Sequence, residues 1–132
     1  MTAPLSTEDR LALTELLARY ARAMDDADVE AFIACFTPEP ELDILGKRVS
    51  GASELRLFAE DYAAWPGRPG WQHHINALTF EGDTERCRVR SYVMWITRGP
   101  DGEMTLRGCS NYLDDCVKSG GRWLFARHVA HH

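Results

Sequence analysis

The sequence lacks an excess of positive charge and any long hydrophobic run. Its 15 lysine and arginine residues are outnumbered by 20 aspartate and glutamate residues, which gives a net charge of −5. Without a basic field the chain has no general attraction for a phosphate backbone, so nucleic acid is not expected as a partner. Because no apolar segment is long enough for a signal peptide or a membrane span, we expect a cytoplasmic protein without a membrane partner.

Cysteine is also scarce. The four cysteines, at positions 35, 87, 109 and 116, form neither a Cys-x-x-Cys pair nor the dense spacing of a disulfide scaffold. We therefore expect four reduced thiols and no metal site built on them.

What remains is ordinary globular composition, with 45% hydrophobic and 27% charged residues over 132 residues. A chain of this size suits a single hydrophobic core. No linker or shift in composition divides it, so residues 1–132 are expected to form one domain.

Helical signals fill the N-terminal half. Ser6 and Asp9 have the pattern of an N-terminal cap, and apolar residues recur at three- and four-residue spacing as far as Met24, which predicts a helix from near Thr7 to Met24 or Asp25. The same reasoning predicts a helix from Asp28 to Phe36 ended by prolines within 37–40, a strand at 41–45, a turn at Gly46 and a helix at 53–64.

From Trp71 onward the hydrophobic period changes from helical spacing to two. This pattern predicts strands at 72–80, 86–97, 104–117 and 122–129, joined by short turns. Helices followed by an antiparallel meander indicate an α+β fold in which the helices cover one face of the sheet.

The residues that point to chemistry are Asp25, at the end of the first helix, and the pair His73-His74, at the start of the meander. A neutral imidazole held by a carboxylate has a fixed tautomer and can act as a general base. In an apolar cleft, such a pair can remove a proton from carbon. The alternative is structural: Asp25 ends a helix, and the histidines lie on a polar strand edge.

Several short motifs, taken in order, resemble the SnoaL-like group of the NTF2-like superfamily. They are LLARYARAMDDAD at 16–28, Ala31-Phe32 through Cys35-Phe36-Thr37, Gly51, His73-His74-Ile75-Asn76, Gly82-Asp83 and Gly121-Arg122-Trp123. The resemblance covers nearly the whole chain. It implies a cone of three helices packed on a strongly curved, mainly antiparallel sheet, with the reaction pocket inside the cone and no cofactor.

The resemblance is strongest to the dehydratases and dehydrochlorinases of this group, which pair an Asp with a His at similar spacing. It implies that His73 is the base, that Asp25 orients it and that Tyr20 donates a hydrogen bond to substrate. The expected protein is a cofactor-independent lyase, dehydratase-like, acting on a hydrophobic cyclic, polyketide-like or steroid-like small molecule. Alternatives are an isomerase or polyketide cyclase using the same pair, and a non-catalytic binding or oxygenase small-subunit-like module. A homo-oligomer, dimer or trimer, is also implied.

Which histidine faces the pocket stays open at this stage. The spacing from Asp25 favours His73, whereas strict alternation with Leu78 and Phe80 would turn His74 inward. A bulge near the start of the strand would reconcile the two.

Further pocket residues are expected on the strands. The candidates for substrate contact are Trp71, Tyr92, Trp95, Asn111 and Arg127. His128, His131 and His132 are interpreted as a terminal cluster outside the site.

Overall fold

The computed structural model describes residues 2–132 and contains three helices and six strands in these residues. The helices are α1 (Thr7–Asp25), α2 (Val29–Ile33) and α3 (Gly51–Ala64). The strands are β1 (Phe36–Ile44), β2 (Lys47–Ser50), β3 (Trp71–Gly82), β4 (Arg86–Arg98), β5 (Met104–Ser119) and β6 (Arg122–His131).

The six strands form one open, curved sheet in the order β2-β1-β6-β5-β4-β3. The strands β3 to β6 form an antiparallel meander, and β2 pairs antiparallel with β1. The pairing of β1 with β6 is parallel, so the sheet is mixed. The predicted α+β architecture, with helices packed on a mainly antiparallel sheet, is confirmed.

Helix α1 begins where the sequence predicts, for the predicted reason. The Ser6 hydroxyl accepts from the Asp9 N–H at 3.0 Å, and the Asp9 carboxylate accepts from the Ser6 N–H at 3.2 Å, which completes a capping box. The apolar stripe packs into the core through Leu13, Leu16, Leu17, Tyr20 and Met24.

The second helix is shorter than predicted, because the segment with two prolines belongs to β1. Helix α2 ends at Ile33, and β1 begins at Phe36 and runs through Pro38 and Pro40. Proline cannot donate to a strand ladder, and its fixed φ suits extended backbone. Both prolines fall between Phe36 and Glu41, where the register of β1 on β6 shifts. The two prolines therefore lie in an irregular part of β1, whereas the sequence predicted only that they end the second helix.

Strand β2 was not predicted. It is four residues long and returns along β1 after the turn at Leu45-Gly46, where both residues have positive φ, 51° and 94°. A two-residue turn with two positive φ angles fits the right-handed twist of a hairpin. Helix α3 then begins directly, at Gly51 instead of the predicted Ser53.

All four cysteines are free thiols, and three of them are buried. No helix within residues 2–132 is long and apolar enough to cross a bilayer. The same residues hold no group of three His, Cys, Asp or Glu side chains placed to bind a metal ion.

Asp9 also connects the start of α1 to the hairpin between β5 and β6. Its Oδ1 atom lies 2.7 Å from Lys118 Nζ and accepts from Trp123 Nε1 at 3.0 Å, and its side chain is only 6% exposed. The hydrogen bond from Lys118, reinforced by Trp123 and Ser6, holds the pKa of Asp9 well below its ordinary value. A single carboxylate therefore caps the helix and anchors β5 and β6.

We expect Asp9→Asn to lower the free energy of unfolding at neutral pH by about 2 kcal/mol, because it leaves Lys118 and Trp123 with a weaker acceptor. The pKa of Asp9 is depressed in the folded state, so its contribution is complete above the unfolded pKa, about 4. The contribution is lost as the pH falls through the folded value. Urea denaturation at several pH values measures the difference between wild type and variant. Glu8→Gln, one residue earlier and exposed, is the control; an equal loss in both variants would contradict the assignment.

Candidate active site

Asp25 is the last residue of α1, and its carboxylate points towards the sheet. The helix ends there because Asp26 caps it and Ala27 adopts a positive φ of 55°. The Asp25 side chain is 17% exposed. The carboxylate is therefore largely buried between the helix and the sheet.

A bulge in β3 decides which histidine meets this carboxylate. Asn76 pairs with Tyr92 and Thr79 with Arg90, so two residues of β3 stand opposite one of β4, and Ala77 has a φ of 56°. Such a bulge reverses the faces of the residues on either side. His73 therefore lies on the inner face, although Leu78 and Phe80 pack on that face beyond the bulge.

His73 and Asp25 are joined by three contacts. His73 Nδ1 lies 2.7 Å from Asp25 Oδ1, and the backbone N–H of His73 donates to Oδ1 at 3.0 Å and to Oδ2 at 3.2 Å. The His73 side chain is 5% exposed. A carboxylate acceptor keeps the proton of a neutral imidazole on Nδ1, so the lone pair is on Nε2. The arrangement is that of an oriented general base.

His74 is placed differently. It is exposed, and its Nε2 atom lies 3.1 Å from Gln72 Oε1 on the opposite face of the strand. Of the two adjacent histidines, His73 is the partner of Asp25.

Two aromatic side chains flank the His73 ring. The ring centroids of Tyr62, on α3, and Trp95, on β4, each lie 6.5 Å from that of His73. Burial, with a contribution from the Asp25 charge, raises the pKa of Tyr62 to about 12. Tyr62 therefore keeps its proton at neutral pH and can donate a hydrogen bond beside the base. Tyr62, on the third predicted helix, is not among the site residues predicted from the sequence.

Arg68 lies at the same end of α1. Its Nη1 donates to the backbone oxygen of Asp25 at 3.2 Å, and its charge lowers the pKa of Tyr62 against the effect of burial. A cation suits this position because helix carbonyls concentrate negative potential at a C-terminus.

A groove of about 860 Å³ runs between α1 and β3 and reaches the pair. Asp25, His73 and the predicted Trp71 are among the residues that line it, with apolar contributions from both elements. The lining is mixed, because apolar residues of both elements alternate with polar and charged side chains such as Arg22 and Arg98.

Tyr20 is deeper in the molecule than the sequence analysis expected. It is 2% exposed, and its ring packs 4.6 Å from His128 and 6.0 Å from Tyr112, measured between centroids. Burial raises the pKa of Tyr20 well above its ordinary value. It contacts the floor of the concave face and does not line the groove at Asp25.

Three predicted pocket residues lie on the outer face of the sheet, which corrects that expectation. Tyr92 is 57% exposed, Asn111 pairs with it across β4 and β5, and Arg127 is exposed on β6. Alternation turns Tyr92 and Asn111 outward because their neighbours Ser91 and Ser110 are buried. The error at Arg127 has a separate cause, the bulge in β6.

In β6, Asp115 pairs with Arg127 and Cys116 with Phe125, so Ala126 is an extra residue. Counting by twos from Trp123 predicts an inward Arg127, whereas the extra residue turns His128 inward. His128 is fully buried, and its Nδ1 is hydrogen-bonded to the equally buried Asp114. The interpretation of His128 as part of a terminal cluster is therefore wrong. The one sequence signal for the pair was Asp114, which shares a face with Tyr112 and Cys116.

The fold is the NTF2-like α+β fold, also described as cystatin-like. The chain belongs to the SnoaL-like domain family, whose model matches residues 6–129. That family includes dehydratases, isomerases and cyclases. A search of curated proteins found no match.

Solved structures show the same fold. A protein of unknown function from Nostoc punctiforme is 23% identical with a TM-score of 0.88, over 97% of this chain and 93% of that one. A protein of unknown function from Mycobacterium tuberculosis is 25% identical with a TM-score of 0.83, over 93% and 70%. A candidate scytalone dehydratase from Novosphingobium aromaticivorans is 20% identical with a TM-score of 0.77, over 92% and 82%.

The tautomer of His73 tests the geometry of the pair. In wild type, the neutral imidazole should carry its proton on Nδ1. Asp25→Ala removes the acceptor and should shift the population towards the Nε2–H form. NMR of the imidazole nitrogens reports the tautomer, and Asp26→Ala, at the exposed neighbouring carboxylate, should leave it unchanged. A dominant Nδ1–H form in Asp25→Ala would show that the carboxylate does not set the tautomer.

Proposed function

We propose that this protein is a cofactor-independent lyase of the dehydratase type, acting on a cyclic small molecule with a weakly acidic C–H bond. The observation that carries the proposal is the contact of Asp25 with both the Nδ1 atom and the backbone N–H of His73. Two anchor points fix the position and the rotation of one imidazole, which is what proton abstraction from carbon requires.

In the reaction, His73 Nε2 takes the proton from a carbon next to a carbonyl group, and the C–H electron pair moves onto the carbonyl oxygen to give an enolate. The carbonyl then re-forms, and the returning electron pair forms the new C=C bond. The C–O bond to the leaving hydroxyl breaks, and the proton on Nε2 passes to that oxygen, which leaves as water. Asp25 stabilises the imidazolium between the two transfers. Because one nitrogen accepts and returns the same proton, the elimination is syn.

Negative charge develops on the carbonyl oxygen, and we assign its stabilisation to the Tyr62 hydroxyl. Its ring lies beside His73, and its raised pKa keeps the hydroxyl a donor. The role given to Tyr20 in the sequence analysis therefore passes to Tyr62 in this proposal. A preorganised donor in a water-poor site lowers the barrier more than it would in solution.

The surroundings support a largely apolar ring as substrate. Trp71 lines the groove, and Trp95 and Tyr62 flank the base with aromatic surface. Family membership supports the reaction type, because dehydratases, isomerases and cyclases of this family are related chemistries.

His73→Ala should lower the rate of water loss by about 10²- to 10⁴-fold, the usual contribution of a positioned base. Combining it with Asp25→Asn should cost little more, since members of one catalytic unit are not additive. Tyr62→Phe should cost about a hundredfold, mainly in kcat, as expected for one lost oxyanion donor. A panel of cyclic β-hydroxy ketones, followed by mass spectrometry for loss of water, measures these rates.

The same panel in D2O reports proton abstraction itself through deuterium incorporation next to the carbonyl. Incorporation that depends on His73 without loss of water would replace the lyase with an isomerase or cyclase. Neither incorporation nor water loss across the panel would favour a binding module. His131→Ala, the same change at an exposed histidine that does not line the groove, is the matched control.

A further inference from the structure

Arg68 contacts both of the elements that carry the Asp25–His73 pair. Its side chain reaches α1, where Nη1 donates to the backbone oxygen of Asp25 at 3.2 Å. Its own backbone oxygen accepts from the N–H of Trp71, the first residue of β3, at 3.1 Å. His73 follows on the same strand, with one residue between it and Trp71. A single residue of the loop at 65–70 therefore joins the end of the helix to the start of the strand.

The backbone oxygen of Asp25 needs a donor from outside the helix. The two N–H groups that follow the helix cap bond back to the carbonyls of Met24 and Ala23, at 3.2 and 2.9 Å. This is the pattern of a Schellman motif, which leaves the carbonyl of the last helical residue without a partner from the helix. Arg68 supplies the missing donor, and its positive charge suits the negative end of the helix.

The loop fixes the backbone of Arg68 on both sides. The N–H of Arg68 donates to the Trp65 oxygen at 3.1 Å, in addition to the bond that its own oxygen accepts from Trp71. Gly70 has a φ of 88°, and its oxygen accepts from the Arg98 N–H at 3.0 Å. A Cβ at Gly70 would lie 2.7 Å from the Arg98 oxygen, so only glycine allows this close approach to β4. The Trp65 and Trp71 rings pack together across the loop, with centroids 5.6 Å apart.

Packing does not explain why this residue is an arginine. Arg68 Nε is buried and has no hydrogen-bond partner among residues 2–132. A buried polar atom without a partner costs free energy. A neutral side chain of similar length would fill the same space without this cost. The feature that does require a donor and a positive charge is the bond to the end of α1.

We propose that Arg68 is a positioning residue for the Asp25–His73 pair. It holds the backbone of Asp25 with its side chain and the start of β3 with its own backbone, so it fixes the carboxylate relative to the imidazole. Arg68 is not among the residues that line the groove, so it acts through the pair and not on the substrate. The inference rests on the proposed function for its effect on rate, whereas its effect on the pair requires no substrate.

Arg68→Met tests the effect on the pair, because it removes the donors and the charge at similar side-chain length. In the folded variant the Asp25 carboxylate should move more freely against His73. The proton of the neutral imidazole should then shift from Nδ1 towards Nε2, and amide hydrogen exchange at His73 should become about tenfold faster, the effect of one lost hydrogen bond. NMR well below the unfolding temperature measures both. Arg68→Lys, which keeps the charge and a donor, should remain close to wild type.

Two comparisons separate positioning from general stability. A variant that only weakens the fold would speed exchange at core amides such as that of Val89, and would leave the tautomer of the folded form unchanged. Arg68→Met should instead change His73 and leave Val89 as in wild type. Arg90→Met, the same change at an exposed arginine on β4, is the matched control and should alter neither signal.

In the assay for water loss, Arg68→Met should lower kcat about tenfold or more and leave KM unchanged, because a displaced base still faces a bound substrate. A wild-type tautomer and wild-type exchange at His73 in Arg68→Met overturn the proposal, and so do equal changes in Arg90→Met. If no ring of the panel is turned over but Arg68→Met changes His73 as expected, the proposed function fails and the positioning role stands. An active enzyme whose His73 signals and kcat are the same in Arg68→Met loses the positioning role alone.

Discussion

The hydrogen bonds from His73 to Asp25 are the contacts on which the candidate site depends. Strand β3 is the last strand of the sheet, so one edge of its backbone has no neighbouring strand. The Asp25 carboxylate accepts the His73 N–H at that edge and the ring Nδ1 at the same time. One side chain therefore satisfies an edge amide, docks the end of α1 on the sheet and orients the imidazole. The same carboxylate therefore fixes both the position of His73 and the protonation of its ring on Nδ1.

Local signals predicted much of this. The capping box at Ser6, the apolar spacing of α1 and the two-residue period after Trp71 were sufficient for the helix, the meander and the α+β class. The sequence also predicted that Asp25 pairs with one of two adjacent histidines. The end of the first helix and the start of the first meander strand lie close together when the helix layer packs on the sheet. What failed depends on contacts between distant segments. The parallel pairing of β1 with β6 makes residues 36–40 a strand in spite of two prolines.

Two bulges decide which histidine faces the site and explain the error at Arg127. In β3, a residue pair including Ala77 reverses the inner face, and in β6 the extra Ala126 does the same. Alternation alone would select His74 over His73 and Arg127 over His128. A bulge adds one residue against a partner strand and leaves little trace in the sequence of its own strand. The same bulges therefore have two effects here: they bend the strands, and they determine which side chains face the concave side of the sheet.

The bulge in β6 determines which residue faces inward, and it also affects the stability of the fold. By turning His128 inward instead of Arg127, it places a second imidazole against Asp114, and burial raises the pKa of that carboxyl while His128 opposes the shift. Pairing offsets part of the desolvation of the two groups, yet one atom of each still lacks a partner. An apolar pair of similar volume would suit an ordinary core better. The cone thus has one His–Asp pair at its edge, where the groove reaches it, and another on its floor beneath Tyr20 and Tyr112. Retention of a buried His–Asp pair at this depth indicates that the floor of the cone is not optimised for stability alone.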